Sequence, residues 1–175
     1  MPEADSPPAR RRALTFAGIA LLIASADQAL KAWVRSYPEG QVIFQGGFFR
    51  LVHVQNTGAA FGIFPGQFLV FTVVGVIGLM AMLAGAVVVY RRYPHLATLP
   101  RVLAFGLVLG GTAGNLADRL HIGHVTDFFD VGWWPAFNLA DASISLGAVL
   151  VAALVLWQVL RQKHAPPAPG SRAGP

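Results

Sequence analysis

The sequence predicts an all-α membrane protein, a bundle of four transmembrane helices carrying a small β element outside the bilayer. Composition is the first observation behind this: of 175 residues 55% are hydrophobic and 12% charged, about half the usual charged share of a globular domain, with a mean hydropathy of +0.57. A disordered chain is excluded, and lipid becomes the expected solvent. Second, the apolar residues gather into four runs, at 13–35, 67–90, 101–119 and 136–160. Each is near the ~20 residues that a helix needs to cross the hydrocarbon core. Third, these runs are too long and uniform for barrel strands, and only helices and closed barrels satisfy their backbone in lipid.

Charge placement orients the bundle. Arg10, Arg11 and Arg12 precede the first run, Arg91, Arg92 and Arg101 flank the connection between the second and third, and Arg161, Lys163 and Arg172 follow the fourth. Only Arg35, Arg50 and Arg119 fall in the other two connections, so the positive-inside rule puts both termini in the cytoplasm and segments 36–66 and 120–135 outside. The pI near 10.5 therefore reflects topology, and no nucleic-acid partner is expected. With no cysteine, the chain has no disulfide, thiolate metal site, thiol nucleophile or lipid-modified Cys of its own.

Taken in order, residues 1–12 read as a disordered cytoplasmic tail, 13–160 as the membrane domain and 161–175, with its Pro-rich HAPPAPGSRAGP, as a second disordered tail. Arg10 to Arg12 followed by Ala24, Ser25 and Ala26 imitate a secretory signal with an A-x-A cleavage site. Apolar character resumes through Leu30, Trp33 and Val34, which makes a full span instead. Asp27 and Lys31 lie four apart, hence on one helix face near its outer end. An acid at the bilayer centre costs about 2.5–3.5 kcal/mol on insertion scales, so a mutually neutralising structural pair is expected there.

The first outer segment holds two β-prone runs within Gln41–Val54, separated by Gly46 and Gly47, and predicts a hairpin or small sheet over about 38–60. It runs into Asn56-Thr57-Gly58-Ala59-Ala60-Phe61-Gly62. This is either a turn leading into the second span or a place where backbone approaches a ligand closely, with Asn56 offering both donor and acceptor. On the third span Gly106, Gly110 and Gly114 repeat every four residues and form a groove for a neighbouring helix. Gly111, Asn115 and Asp118 or Arg119 follow an adjacent stripe, and Asp118 beside Arg119 is also readable as a helix-end ion pair.

Four of the eight acids, Asp118, Asp127, Asp130 and Asp141, fall within about two dozen positions around the second outer segment. Asp141 lies three residues after Asn138 in the first turns of the fourth helix, and Asp127 precedes it on a loop long enough to fold back. Two carboxylates meeting in a poorly solvated site share a proton, so one serves as base toward water while the other donates to a carbonyl oxygen. The competing reading of the same spacing is N-capping by Asn138 with helix-dipole stabilisation by Asp141. Neither H-E-x-x-H nor G-x-S-x-G occurs, and His121 with His124 lacks metalloprotease spacing, so no metal or other cofactor is expected. Trp133 and Trp134 read as an interfacial belt. A proton-coupled transporter is the rival from another class, but no acid continues the path toward the cytoplasmic side.

These blocks together resemble the lipoprotein signal peptidases, or signal peptidase II, a family of aspartic proteases of the bacterial cytoplasmic membrane. The likeness runs over residues 14–160: Asp27 with Lys31, Asn56 to Gly62, Gly111-Thr-Ala-Gly-Asn-Leu-Ala-Asp-Arg119, Val125-Thr-Asp-Phe128 and Phe137-Asn-Leu-Ala-Asp141. The resemblance implies removal of signal peptides from prolipoproteins by cutting before a diacylglyceryl-modified cysteine, within membrane lipid and without a cofactor. It implies catalytic roles for Asp127 and Asp141 and binding or supporting roles for Asn56, Gly58, Gly111, Asn115, Arg119, Asn138 and Ala140. Asp27 and Lys31 match a structural or substrate-adjacent pair, and globomycin-type peptides are expected in the same cleft. Thr126, where the family more often has an aliphatic residue, and the small Ala117 depart from its pattern.

Overall fold

The structure, a computed structural model, describes residues 9–58 and 67–163. Its elements are α1 (Ala9–Val34), β1 (Val42–Gly46), β2 (Phe49–Asn56), α2 (Phe68–Arg92), α3 (Leu99–Ile122), β3 (Val125–Asp130) and α4 (Leu139–Lys163), with a short 3-10 turn at Pro94–Leu96. All four helices are long and apolar enough to cross a membrane. Two boundaries correct the sequence reading: α1 already begins at Ala9 and α4 continues to Lys163, so Arg10–Arg12 and residues 161–163 are helical rather than tail. Arginine and lysine are good helix formers, and a hydropathy window ends at the lipid border while the helix does not. Residues 1–8 and 164–175, which hold the remainder of the expected tails, lie outside the described residues, as do Ala59, Ala60, Phe61 and Gly62.

Helix α3 is the axis of the bundle. Half of its apolar window is buried, against 6% for α2. The reason is its glycines. A Cβ on Gly110 would lie 2.6 Å from the Ala20 carbonyl of α1, and one on Gly106 would meet Ile19 at 3.0 Å. On the adjacent stripe, a Cβ on Gly111 would lie 2.5 Å from the Ala140 carbonyl of α4, and Gly147 of α4 returns the contact against Ala104 and Val108. Small residues on two faces thus let two backbones close on α3, where van der Waals contact replaces the hydrophobic drive that is missing in lipid. The rest of the apolar surface, for example Leu21, Ile77 and Val149, points outward.

The expected hairpin is present but incomplete as predicted. β1 and β2 pair antiparallel through Gln45 with Arg50 and Gly46 with Phe49, leaving Gly47 and Phe48 as the turn, and Gly47 adopts a positive φ of 59°. β3 then adds antiparallel to β2, pairing Asn56 with Val125 and Val54 with Asp127, in a sheet ordered β1-β2-β3. The sequence alone predicts a loop where this third strand lies. Its start is set by Gly123, which ends α3 in the left-handed region at φ 77° while its N–H bonds to the Arg119 carbonyl. Its end folds back on α4 because Phe129 and Phe137 exchange backbone hydrogen bonds of 2.7 and 3.0 Å across the intervening loop.

Gly110→Ala is expected to destabilise the bundle by about 1–3 kcal/mol, since the new methyl must displace backbone. Gly78→Ala, where a Cβ meets nothing within 4 Å, is expected to cost nothing. Thermal unfolding of both variants in detergent checks this, and equal melting temperatures would contradict the packing account.

Candidate active site

Three elements converge at the junction of β3 with the facing ends of α3 and α4. The Phe129–Phe137 bridge places Asp127, two residues before it, beside Asn138, one residue after it. Asn138 caps α4: its Oδ1 accepts from the Asp141 N–H at 2.9 Å, and its own N–H points back to Asp141 Oδ2 at 3.4 Å. This is the capping box expected of an Asn three residues ahead of an acid. The cap is also the connection. Asn138 Nδ2 donates to Asp127 Oδ1 at 2.6 Å, so one side chain holds both aspartates.

Each carboxylate has further donors. Asn56 and Asp127 lie diagonally across the β2–β3 ladder on one face, and Asn56 Nδ2 donates to Asp127 Oδ2 at 2.8 Å. Asn115 Nδ2, from α3, donates to Asp141 Oδ1 at 2.8 Å. Both acids are almost fully buried, at 1% and 3% exposure. Burial foremost, and then the neighbouring Asp141 charge, push Asp127 up to about 7, against the lowering effect of the Asn56 and Asn138 donors. Near neutral pH Asp127 is therefore still partly protonated, where an ordinary aspartate would be ionised.

Gly58 is fixed at the rim by both its backbone groups. Its N–H donates to Asn56 Oδ1 at 2.8 Å and its carbonyl accepts from Arg119 Nη2 at 3.1 Å. Gly111 and Ala140 form the close contact of α3 with α4 directly beneath Asn115 and Asp141. The site residues expected from the sequence are thus gathered into one place among the described residues.

Comparison with known proteins follows the same line. A family model described as signal peptidase (SPase) II matches residues 19–157. The chain belongs to the signal peptidase II family. The lipoprotein signal peptidase of Syntrophomonas wolfei subsp. wolfei is 39% identical over 154 residues, covering 86% of this chain and 99% of that one. That of Moorella thermoacetica is 41% identical over 149 residues, covering 84% and 93%. A bacterial membrane enzyme solved by the in meso method at 2.3 Å superposes with a TM-score of 0.76 at 27% identity, over 87% of this chain and 93% of that one. The chain is accordingly a membrane peptidase, with four helices able to span the bilayer and a three-stranded sheet as its architecture.

Behind the two aspartates lies a second cluster. Lys31 is fully buried, with Nζ 2.7 Å from Asp27 Oδ2, 3.3 Å from Asp118 Oδ2 and 2.8 Å from Asn115 Oδ1. The contact to Asp27 Oδ2 is an ion pair lying off hydrogen-bond alignment. Asp27 Oδ1 accepts from the Ala140 N–H at 2.9 Å, supplying a partner for the first turn of α4. Asp118 accepts from Gln28, from Arg35 and from the Thr126 N–H at 3.0, 3.1 and 2.9 Å.

The suggested Asp118–Arg119 ion pair does not form. Consecutive helix residues do not face each other: Asp118 turns to α1, while Arg119 turns to Gly58 and the Asn115 carbonyl. Gln28, Arg35 and Thr126 had no place in the expected site. The available signal, for Arg35 alone, is the continuation of the 27-31 spacing to residue 35, which sets Arg35 just past the end of α1 in line with Asp27 and Lys31. Thr126 hydroxyl accepts from Arg35 Nη1 at 3.2 Å, so the departure from an aliphatic residue adds a bond between α1 and β3.

Lys31→Met leaves two buried carboxylates without their central cation and is expected to cost about 3–5 kcal/mol. Asp27→Ala is expected to lower yield and melting temperature more than turnover per folded molecule. Unchanged thermal stability of either purified variant would show that the cluster is not what holds the helices.

Proposed function

We propose that this chain removes signal peptides from prolipoproteins by hydrolysing the bond before the diacylglyceryl-modified cysteine, with Asp127 and Asp141 as the catalytic pair. The observation that carries the reading is the double hold of Asn138 on both buried aspartates. Asp127, pushed up to about 7, is the acid. Asp141, at the dipole-positive mouth of α4, is the member placed to carry the charge and act as base. Asp141 takes a proton from water as the oxygen adds to the scissile carbonyl carbon. Asp127 gives its proton to the carbonyl oxygen, and a tetrahedral diol forms. The diol then returns one proton to Asp127, Asp141 passes its proton to the leaving amine, and the C–N bond breaks. No covalent enzyme intermediate is needed.

The supporting roles follow from contacts. Asn56 and Asn115 fix one carboxylate each, and Arg119 holds the Gly58 backbone at the rim. Both termini lie in the cytoplasm and the pair sits at the extracytoplasmic face, because Arg10–Arg12, Arg91, Arg92, Arg101 and Arg161 gather at the opposite end of the bundle. The substrate's acyl chains stay in the bilayer, since moving them into water costs about 0.8 kcal/mol per CH₂. Globomycin-type peptides occupy the same cleft.

Purified enzyme is expected to cut a diacylated lipobox peptide before its cysteine and to leave the unlipidated peptide intact. Asp127→Asn and Asp141→Asn are each expected to insert, fold and lose turnover. Measurable cleavage by either folded variant would overturn the pair assignment.

Activity is also expected to fall as pH rises through about 7, where Asp127 gives up its proton. Asp127 is raised from 3.8 to about 7 on folding, so its contribution to stability is full below 3.8 and is lost as pH rises through 7. Thermal unfolding between those limits should show wild type losing ground to Asp127→Asn as pH increases. Parallel curves would mean that Asp127 does not hold the proton.

A further inference from the structure

A cavity lies at the end of the bundle away from the aspartates, formed by the C-terminal end of α2, the N-terminal ends of α1 and α3, and Gln158 near the end of α4. Its volume is about 610 Å³, within the usual range for a ligand site. The lining is almost wholly apolar. On α2 it extends from Ala81 to Tyr90, a rise of about 13 Å, which is close to the hydrocarbon depth of one leaflet. Phe16 and Phe105 form the facing walls, and Phe16 meets the Tyr90 ring at 6.4 Å. Gly85 faces open space, since a Cβ there would meet nothing within 4 Å.

Polar groups occur only at the mouth. Arg101 donates from Nη1 to the Leu96 carbonyl at 3.1 Å and from Nη2 to Gln158 Oε1 at 2.8 Å. Both acceptors are neutral, and a guanidinium has five N–H donors, so three remain. The Tyr90 hydroxyl donates to the Arg12 carbonyl at 3.1 Å and keeps its acceptor capacity. Arg10, Arg11, Arg12, Arg91 and Arg92 surround this end, while every acid among the described residues, from Asp27 to Asp141, belongs to the opposite half.

We propose that this crevice binds one anionic phospholipid, with an acyl chain along Ala81, Gly85 and Phe105 and the phosphate on Arg101. The slot is too apolar for a polar metabolite and has the depth of a leaflet. The field at its mouth is positive, with no acid among the described residues to offset it, which selects a net negative headgroup over a zwitterionic one.

Native mass spectrometry of the purified full chain, offered equal amounts of phosphatidylglycerol and phosphatidylcholine with the same acyl chains, tests this. One retained lipid is expected, with phosphatidylglycerol favoured by about fivefold. Gly85→Leu fills the slot and is expected to lose both lipids. Arg101→Gln keeps the slot and is expected to bind both equally. Melting temperature and peptide cleavage establish that each variant is folded, as neither residue touches the aspartate pair. No retained lipid, equal retention by wild type, undiminished retention by folded Gly85→Leu, or an unchanged preference in Arg101→Gln would each overturn the proposal.

Discussion

The Lys31 ammonium is buried where α1, α3, α4 and β3 meet, and each of its contacts is continued by a second bond to a segment of the site. Through Asp27 it reaches the Ala140 N–H and hence the start of α4. Through Asp118 it reaches the Thr126 N–H, next to Asp127. Through Asn115 it reaches Asp141 itself. A buried ion pair is weak evidence for stability, because desolvation offsets much of the attraction. What this arrangement supplies is position: a strand from one connection and a helix start from another are referred to the same charge.

That precision is available only because the helices come close enough. Gly110 and Gly114 let α1 approach α3 until a Cβ on Gly114 would lie 2.6 Å from Asp27 Oδ2. Gly111 does the same for α4, bringing Ala140 within reach of Asp27. Side chains at these positions would part the backbones and lengthen the bonds that the charged cluster depends on. The glycine stripes and the polar cluster are therefore one device, with small residues setting the spacing and short polar chains using it. Helix α2 takes no part in this cluster and presents most of its surface outward, as a helix solvated by lipid does.

The spans, the glycine groove and the Asp27–Lys31 pair were legible because each depends on local information: length, hydropathy, or residues three and four apart on a helix. Asn138 with Asp141 was legible for the same reason, as a cap is a short-range pattern. Strand β3 was not. Its pairing partners lie about seventy positions earlier, and Val125-Thr-Asp-Phe-Phe-Asp130 has no clean alternation, since its first four residues are all buried. The partners of Asp118 are not legible locally, because adjacency in sequence is not adjacency in space on a helix. A helix turns Arg119 away from its neighbour and leaves Asp118 to the Thr126 N–H and to Gln28 and Arg35, more than eighty positions distant. Thr126 was visible as a departure from the family pattern, but its use, a bond to Arg35, required the sheet to be placed against α1.

The charges of the two clusters add to a simple sum. Lys31 and Arg35 face Asp27 and Asp118, two positive against two negative, so the structural cluster is neutral in itself. The cation left beside Asp127 and Asp141 is Arg119, close enough for its charge to act on both. If both aspartates were ionised, the buried site would carry one uncompensated negative charge; with both protonated it would carry one positive charge. A single shared proton makes it neutral, and neutrality is what a poorly solvated site favours. The electrostatics that let this region pack at the end of a membrane bundle therefore select the same one-proton state that hydrolysis by a pair of carboxyl groups requires.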